Sequence, residues 1–198
     1  MNCSYPHLQL SRLLCLALMA SLCACLPGRS VTEQDRILEP LLPTLTPTPA
    51  REDALAIRIQ SIRARAHIRN NVLHRTSQGE IQTDAVWTWS VPPALYFTQA
   101  LDLVASADPE IRLTDEARKG SLRIELLAFE IQDNQEGPMA RISILVQFRG
   151  ADRRIQVREY EQKTPIQGEL PRSLAKAMGT SLVAISHKVL DEAKKLLR

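Results

Sequence analysis

From Leu55 to Ile68 apolar residues occupy every second position, first Leu55, Ile57 and Ile59, then, one step out of phase, Ile62, Ala64, Ala66 and Ile68. That alternation predicts a strand with one buried face, and the slip of phase predicts a bulge near Gln60-Ser61. Residues 70–75 and 80–84 predict two short strands around the turn Ser77-Gln78-Gly79. Pro92-Pro93 then opens a predicted helix that runs to Ala107 and carries Phe97, Ala100, Leu101 and Val104 on one face. Three longer strands follow. Leu122, Ile124 and Leu126 alternate, Phe129 and Ile131 resume out of phase, Ile142, Ile144, Val146 and Phe148 alternate without a break, and Ile155 and Val157 begin the third strand. Short, turn-rich connections make them an antiparallel meander with one polar face.

The last stretch, from Leu170 to Leu197, carries Leu174, Met178, Leu182, Ile185, Val189, Ala193 and Leu196, at spacings of 4, 4, 3, 4, 4 and 3. An 11-residue repeat follows a straight helix, so the stripe is expected to cover the apolar face of the sheet. An oligomerisation face is its second reading. The pattern as a whole predicts an α+β fold, a mainly antiparallel sheet covered on one face by two helices, the second long and C-terminal.

The beginning of the chain reads differently. Leu13 to Leu22 is an uncharged apolar run of ten residues preceded by Arg12. A bilayer-spanning helix needs about 20 apolar residues and an export signal roughly 7 to 15, so the run reads as a cleaved signal. Leu22-Cys23-Ala24-Cys25 resembles the bacterial lipobox, with Cys25 as the lipidated amino terminus of the mature chain; an ordinary signal peptide is the alternative. Two or three acyl chains, at about 0.8 kcal/mol per buried methylene, anchor a protein durably. Leu26 rather than Asp follows the cysteine, which by resemblance to enterobacterial sorting points to the outer membrane. Residues 25–50 hold five of the chain's twelve prolines, and this segment reads as a semi-extended tether of about 70 to 80 Å at roughly 3 Å per residue. Within it, Ile37, Leu38, Leu41 and Leu42 either dock a partner or, the preferred reading, lie against the domain. The expected organisation is a signal over 1–24, a lipidated tether over 25–50 and one folded domain over 51–198.

Composition narrows the function. The chain has 198 residues, 44% of them hydrophobic, with aromatics at only 4%. That is one domain with an aliphatic core, without a row of rings on which bases could stack. All four cysteines, Cys3, Cys15, Cys23 and Cys25, precede residue 26, so the body has no disulfide, cysteine-ligated metal or thiol nucleophile. No phosphate loop, G-x-G-x-x-G, H-E-x-x-H or G-x-S-x-G occurs. His67 and His74 are spaced too loosely to argue for a metal, and Glu159 and Glu161 lack the partners that acid–base work requires. Neither an enzyme nor a cofactor is expected. A net charge of +3 implies no nucleic-acid partner.

Two features remain as candidate contacts. Between Ala54 and Gly79 stand Arg58, Arg63, Arg65, Arg69 and Arg75 with no acid among them. Arg58, Arg63 and Arg65 alternate against apolar neighbours, either as charge that protects an exposed strand edge or as contacts to phosphate headgroups or an acidic partner. Trp87 and Trp89, two apart, face one side of an extended chain; core packing is expected for at least one and a partner interface is open to the other.

The order of these pieces is similar to that of the ABC-type transport auxiliary lipoproteins, the PqiC-like family. The resemblance rests on the lipobox, Leu-Ala-Ile-Arg-Ile-Gln-Ser-Ile from Leu55, Val-Leu-His-Arg from Val72, Trp89 with Pro92 and Pro93, Leu-Leu-Ala-Phe-Glu-Ile from Leu126, and the terminal helix. It covers roughly Leu55 to Leu197. The tyrosine-containing strand that often follows the lipidated cysteine has no counterpart here; the proline tether stands in its place. The resemblance implies a non-catalytic periplasmic subunit accompanying an MCE-domain protein and an ABC permease and ATPase, with phospholipid as the candidate cargo. A cell-envelope scaffold lipoprotein without a lipid substrate, Tol-like or an activator of peptidoglycan synthesis, is the alternative.

Overall fold

A computed structural model of the protein describes residues 36–116 and 120–197. The export segment, the lipobox and Cys25 lie outside the described residues. Five strands precede the meander in chain order, β1 (Arg36–Leu38), β2 (Leu55–Ala64), β3 (Asn71–Arg75), β4 (Ile81–Trp89) and β5 (Ile111–Leu113), and helix α1 (Pro93–Ala107) lies between β4 and β5. The meander is β6 (Gly120–Gln132), β7 (Met139–Gly150) and β8 (Ile155–Pro165), and helix α2 (Arg172–Leu197) follows it.

The eight strands form one mixed sheet organised around β6. Along one edge β6 pairs with β7 antiparallel over its whole length, and β7 pairs antiparallel with β8. The other edge of β6 is shared: its first half pairs with β2 and its end with β3, both parallel. β3 and β4 form the expected hairpin, where Gly79 at φ 90° takes the left-handed conformation that glycine adopts without a steric penalty. The two long ladders are antiparallel, and the parallel pairings are the short ones, β1 on β4 and β5 on β2 included. The α+β sheet with two covering helices stands as expected.

Both phase slips have a structural cause. The β2–β6 register shifts between Ile59 and Ser61, so Gln60 is the bulged residue. The β6–β7 register shifts between Leu126 and Ala128, so Leu127 is extra and Phe129 and Ile131 return to the face that Leu122, Ile124 and Leu126 occupy. That face carries Ile142, Ile144, Val146 and Phe148 of β7, all buried, and meets both helices. The α2 stripe is internal: Leu174, Met178, Leu182, Ile185, Val189 and Ala193 are all buried against the domain. Its flanks are buried too, by α1 and by the N-terminal segment.

The start of the folded body differs from the sequence reading. The folded domain is expected from residue 51, with the apolar residues of the tether lying against it, and the structure goes further: Arg36–Leu38 pairs in parallel with Trp87–Trp89. Leu38 is buried, while Ile37 and Leu41 are exposed and Leu42 packs at the margin of the core. The Leu41 N–H donates to the Ala175 carbonyl of α2 at 2.9 Å, and the Thr48 N–H to the Ser106 carbonyl at 2.8 Å. Residues 36–50 are therefore a strap fastened across both helices, with its prolines at positions where no ladder N–H is demanded. β1, Arg-Ile-Leu without a tyrosine, is a strand inside the proline-rich segment. The proline-rich composition concealed it because β1 is three residues long, below the reach of a periodicity argument. β5 escaped for the same reason. Ile155 and Val157 begin β8 as expected but are about half exposed, because their register partners Arg149 and Gln147 lie on the polar face.

Candidate functional site

The helices cover one face of the sheet, and polar side chains from β2, β3, β6, β7 and β8 share the other. Strand parity puts them there: with Leu122, Ile124, Phe129 and Ile131 inward, Glu130 and Gln132 turn outward, as do Arg141 and Ser143 of β7 and Glu159, Glu161 and Lys163 of β8. Register brings them together, since Glu130 lies opposite Arg141, Arg141 opposite Lys163, and Ser143 opposite Glu161.

Glu130 is the centre of this group. Its carboxylate is fully buried, a state tolerated only with charge partners and saturated hydrogen bonding. Arg75 donates from Nε to Oε1 at 2.5 Å and from Nη2 to Oε2 at 3.1 Å, the two-pronged geometry for which a guanidinium is suited. Arg141 donates from Nη1 to Oε1 at 2.6 Å and from Nε to Glu161 at 2.6 Å. Lys163 approaches Glu161 at 3.4 Å, and Arg65 approaches Glu125 at 3.5 Å. Burial alone would raise the Glu161 pKa; the Arg141 hydrogen bond, with the charges of Arg141 and Lys163, outweighs it and holds the carboxyl below its ordinary value. Burial works the other way on Arg141, and Glu161 and Glu130 override it, keeping the guanidinium charged.

Above Glu130 opens a groove of about 440 Å³ into which Arg75 of β3, Arg141 of β7, Lys163 of β8 and Arg65, just past the end of β2, converge. Glu159 is the acid on its wall and accepts from the Ser143 hydroxyl at 3.3 Å. The groove can hold an anion by charge-assisted hydrogen bonds.

The sequence candidates are placed as follows. Arg58 and Arg63 are exposed on β2, whose outer edge beyond Ile57 carries no ladder partner among the described residues. Arg65 alone of the three reaches the groove. Trp89 is a core residue, 2% exposed, edge-on to Phe129 at 5.2 Å and to Tyr96 at 6.2 Å, and so is not a contact surface. Trp87 shares its side of β4 but lies beyond the cover of α1, half-buried, with the Arg36 guanidinium 5.5 Å from its ring centroid. Glu130, Gln132, Arg141 and Lys163 were not singled out from sequence. The available signal was Glu130 itself, an acid inside the run Leu-Leu-Ala-Phe-Glu-Ile. His74 pairs with Asp84 at 2.9 Å, away from any metal-binding group; among the described residues no cluster of three His, Cys, Asp or Glu is placed to hold a metal ion. Among the described residues, too, no helix is long and apolar enough to cross a membrane.

No protein-family model matches the chain, and no curated protein matches it. Solved structures do. A Xanthomonas campestris protein of family DUF330 is similar at a TM-score of 0.63 and 19% identity, over 78% of this chain and 92% of that one. An uncharacterised protein is similar at a TM-score of 0.65 and 13% identity, over 81% and 99%. A hypothetical protein from Chlamydia trachomatis follows at 0.52 and 7%, over 73% and 98%. At these identities the shared property is the fold: the sheet with both helices on one face is an architecture that these proteins have in common with this chain.

Proposed function

We propose that the chain is a non-catalytic lipoprotein of the bacterial envelope, anchored through Cys25 and facing the periplasm from the outer membrane, where it assists an MCE-type lipid conduit and its ABC transporter in moving phospholipid between membranes. The observation that supports this reading is the coincidence of two independent likenesses. The residue order from Leu55 to Leu197 resembles the PqiC-like family, and the fold is similar to that of a DUF330 protein, which belongs to that same family. A domain of one fold serves many roles, so the role must be tested through its partners. The exposed arginines of β2 and the half-buried Trp87 are the surface this reading offers to them.

Capture of the tagged wild-type protein from detergent-solubilised envelopes is the decisive experiment. Co-purification of an MCE-domain protein supports the transport role. Recovery of a peptidoglycan synthase without any MCE protein overturns it in favour of an envelope scaffold. For the anchor, Cys25→Ala should abolish acylation by mass spectrometry, and acylation that persists sinks the assignment.

A further inference from the structure

The hydrogen-bonding capacity left over in the groove above Glu130 is of both signs. On the donor side, Arg141 commits Nε and Nη1 to carboxylates and has no partner for Nη2 among the described residues. Lys163 and Arg65 are each held by one carboxylate beyond 3.3 Å, an ion-pair distance rather than a hydrogen bond. On the acceptor side, Glu159 is exposed on the groove wall and accepts only the long bond from Ser143.

A bare anion would satisfy the cations and leave Glu159 without a partner of opposite sign, or be repelled by it. A bare cation would do the reverse. A ligand carrying both an anionic group and an ammonium fits both halves. We propose that the groove lined by Arg65, Arg75, Arg141 and Lys163 is a binding site for a phosphate ester bearing a primary amine, of the phosphoethanolamine type, with the phosphate held by Arg65, Arg141 and Lys163 and the ammonium by Glu159. The choice of this ester among zwitterions rests on the lipid-transport reading; the two-signed site rests on the groove alone. Its source is either a lipid headgroup or a soluble ester.

Calorimetric titration of the detergent-purified full chain with O-phosphoethanolamine, inorganic phosphate and phosphocholine tests the site. O-phosphoethanolamine should bind about 10-fold tighter than either comparator, as expected when a charged hydrogen bond is added. Lys163→Gln should weaken O-phosphoethanolamine and phosphate alike by about 10-fold. Glu159→Gln should leave phosphate binding unchanged and erase the preference for the amine. Both side chains are exposed, so unchanged thermal unfolding verifies that the variants fold. Equal affinity for all three compounds, binding of none, or variants indistinguishable from wild type overturns the proposal. A second arm compares O-phosphoethanolamine with dihexanoyl-phosphatidylethanolamine: tighter binding of the diacyl form assigns the lipid source, and tighter binding of the free ester assigns the soluble one. Failure here leaves capture of an MCE protein unaffected, so the two readings fail separately.

Discussion

Arg141 holds two carboxylates at once, Glu130 from Nη1 and Glu161 from Nε, each at 2.6 Å. One of those carboxylates has no access to water, so the arginine links a buried charge to the solvated surface of β8, while Arg75 holds the same charge from β3. Removing one partner of a buried pair costs about 3–5 kcal/mol because the other charge stays behind. Because Arg75 still pairs with Glu130, Arg141→Met should lower the urea midpoint by an amount equivalent to about 1–3 kcal/mol, whereas Glu130→Met, which strands both guanidinium groups, should cost more. A Glu130→Met variant no less stable than Arg141→Met would show that the cost lies in packing instead.

The strap makes a second prediction. Gly179 sits in the middle of α2, where glycine costs about 1 kcal/mol relative to alanine, yet a Cβ there would meet the Leu41 carbonyl. Gly179→Ala should consequently destabilise the domain by about 1–3 kcal/mol despite the better helix propensity. Protection of the Leu41 amide, which donates to Ala175, should fall in hydrogen exchange. A stabilised variant would mean that the strap yields freely.

The two tryptophans should separate cleanly in fluorescence. Trp89 lies against Phe129 and Tyr96, and Trp89→Ala should cost about 3–5 kcal/mol. In Trp87→Phe the remaining emission from Trp89 should be blue-shifted and resistant to acrylamide. In Trp89→Phe the emission from Trp87 should be quenched. The reverse order would contradict the placement of β4.

Lys194 ties α2 to the turn after α1, with Asp108 at 2.8 Å and Asp191 at 3.0 Å. Burial by itself would raise the Asp108 pKa, but the Lys194 hydrogen bond and the Glu110 N–H outweigh it, so the folded pKa lies below the unfolded one. A depressed acid stabilises above its unfolded pKa of about 3.9 and loses that contribution as the pH falls through the folded value. The hydrogen bond to Asp108, with that to Asp191, raises the Lys194 pKa, so the amine's share persists up to its unfolded pKa of about 10.4. The difference in Tm between wild type and Lys194→Met should thus be constant from about pH 5 to 9 and shrink below about pH 4. A difference that stays flat into strong acid would remove Asp108 from the account.

Much of this fold is legible in the order of residues. Both changes of phase, at Gln60 and at Leu127, mark real bulges, and Pro92-Pro93 opens α1. The parallel pairings of β2 and β3 with β6 are not legible, because they join strands far apart in sequence and no turn chemistry announces them. The groove is hidden for the same reason: Arg75, Arg141 and Lys163 stand on three strands and Arg65 follows a fourth, and only the register places them together. Trp87 and Trp89 show the limit of parity arguments, since residues on one side of a strand differ in burial when a helix roofs only one end.

The strap also changes how far the domain can travel. A free tether through residue 50 would let a domain anchored at Cys25 range about 70 to 80 Å at roughly 3 Å per residue. With the chain fastened from Arg36, eleven peptide units remain, which span at most about 40 Å. An anchored domain on so short a leash samples a thin layer next to its own membrane, which raises its effective concentration toward anything held in that layer. On the proposed anchor, such a domain meets only partners that come within that reach.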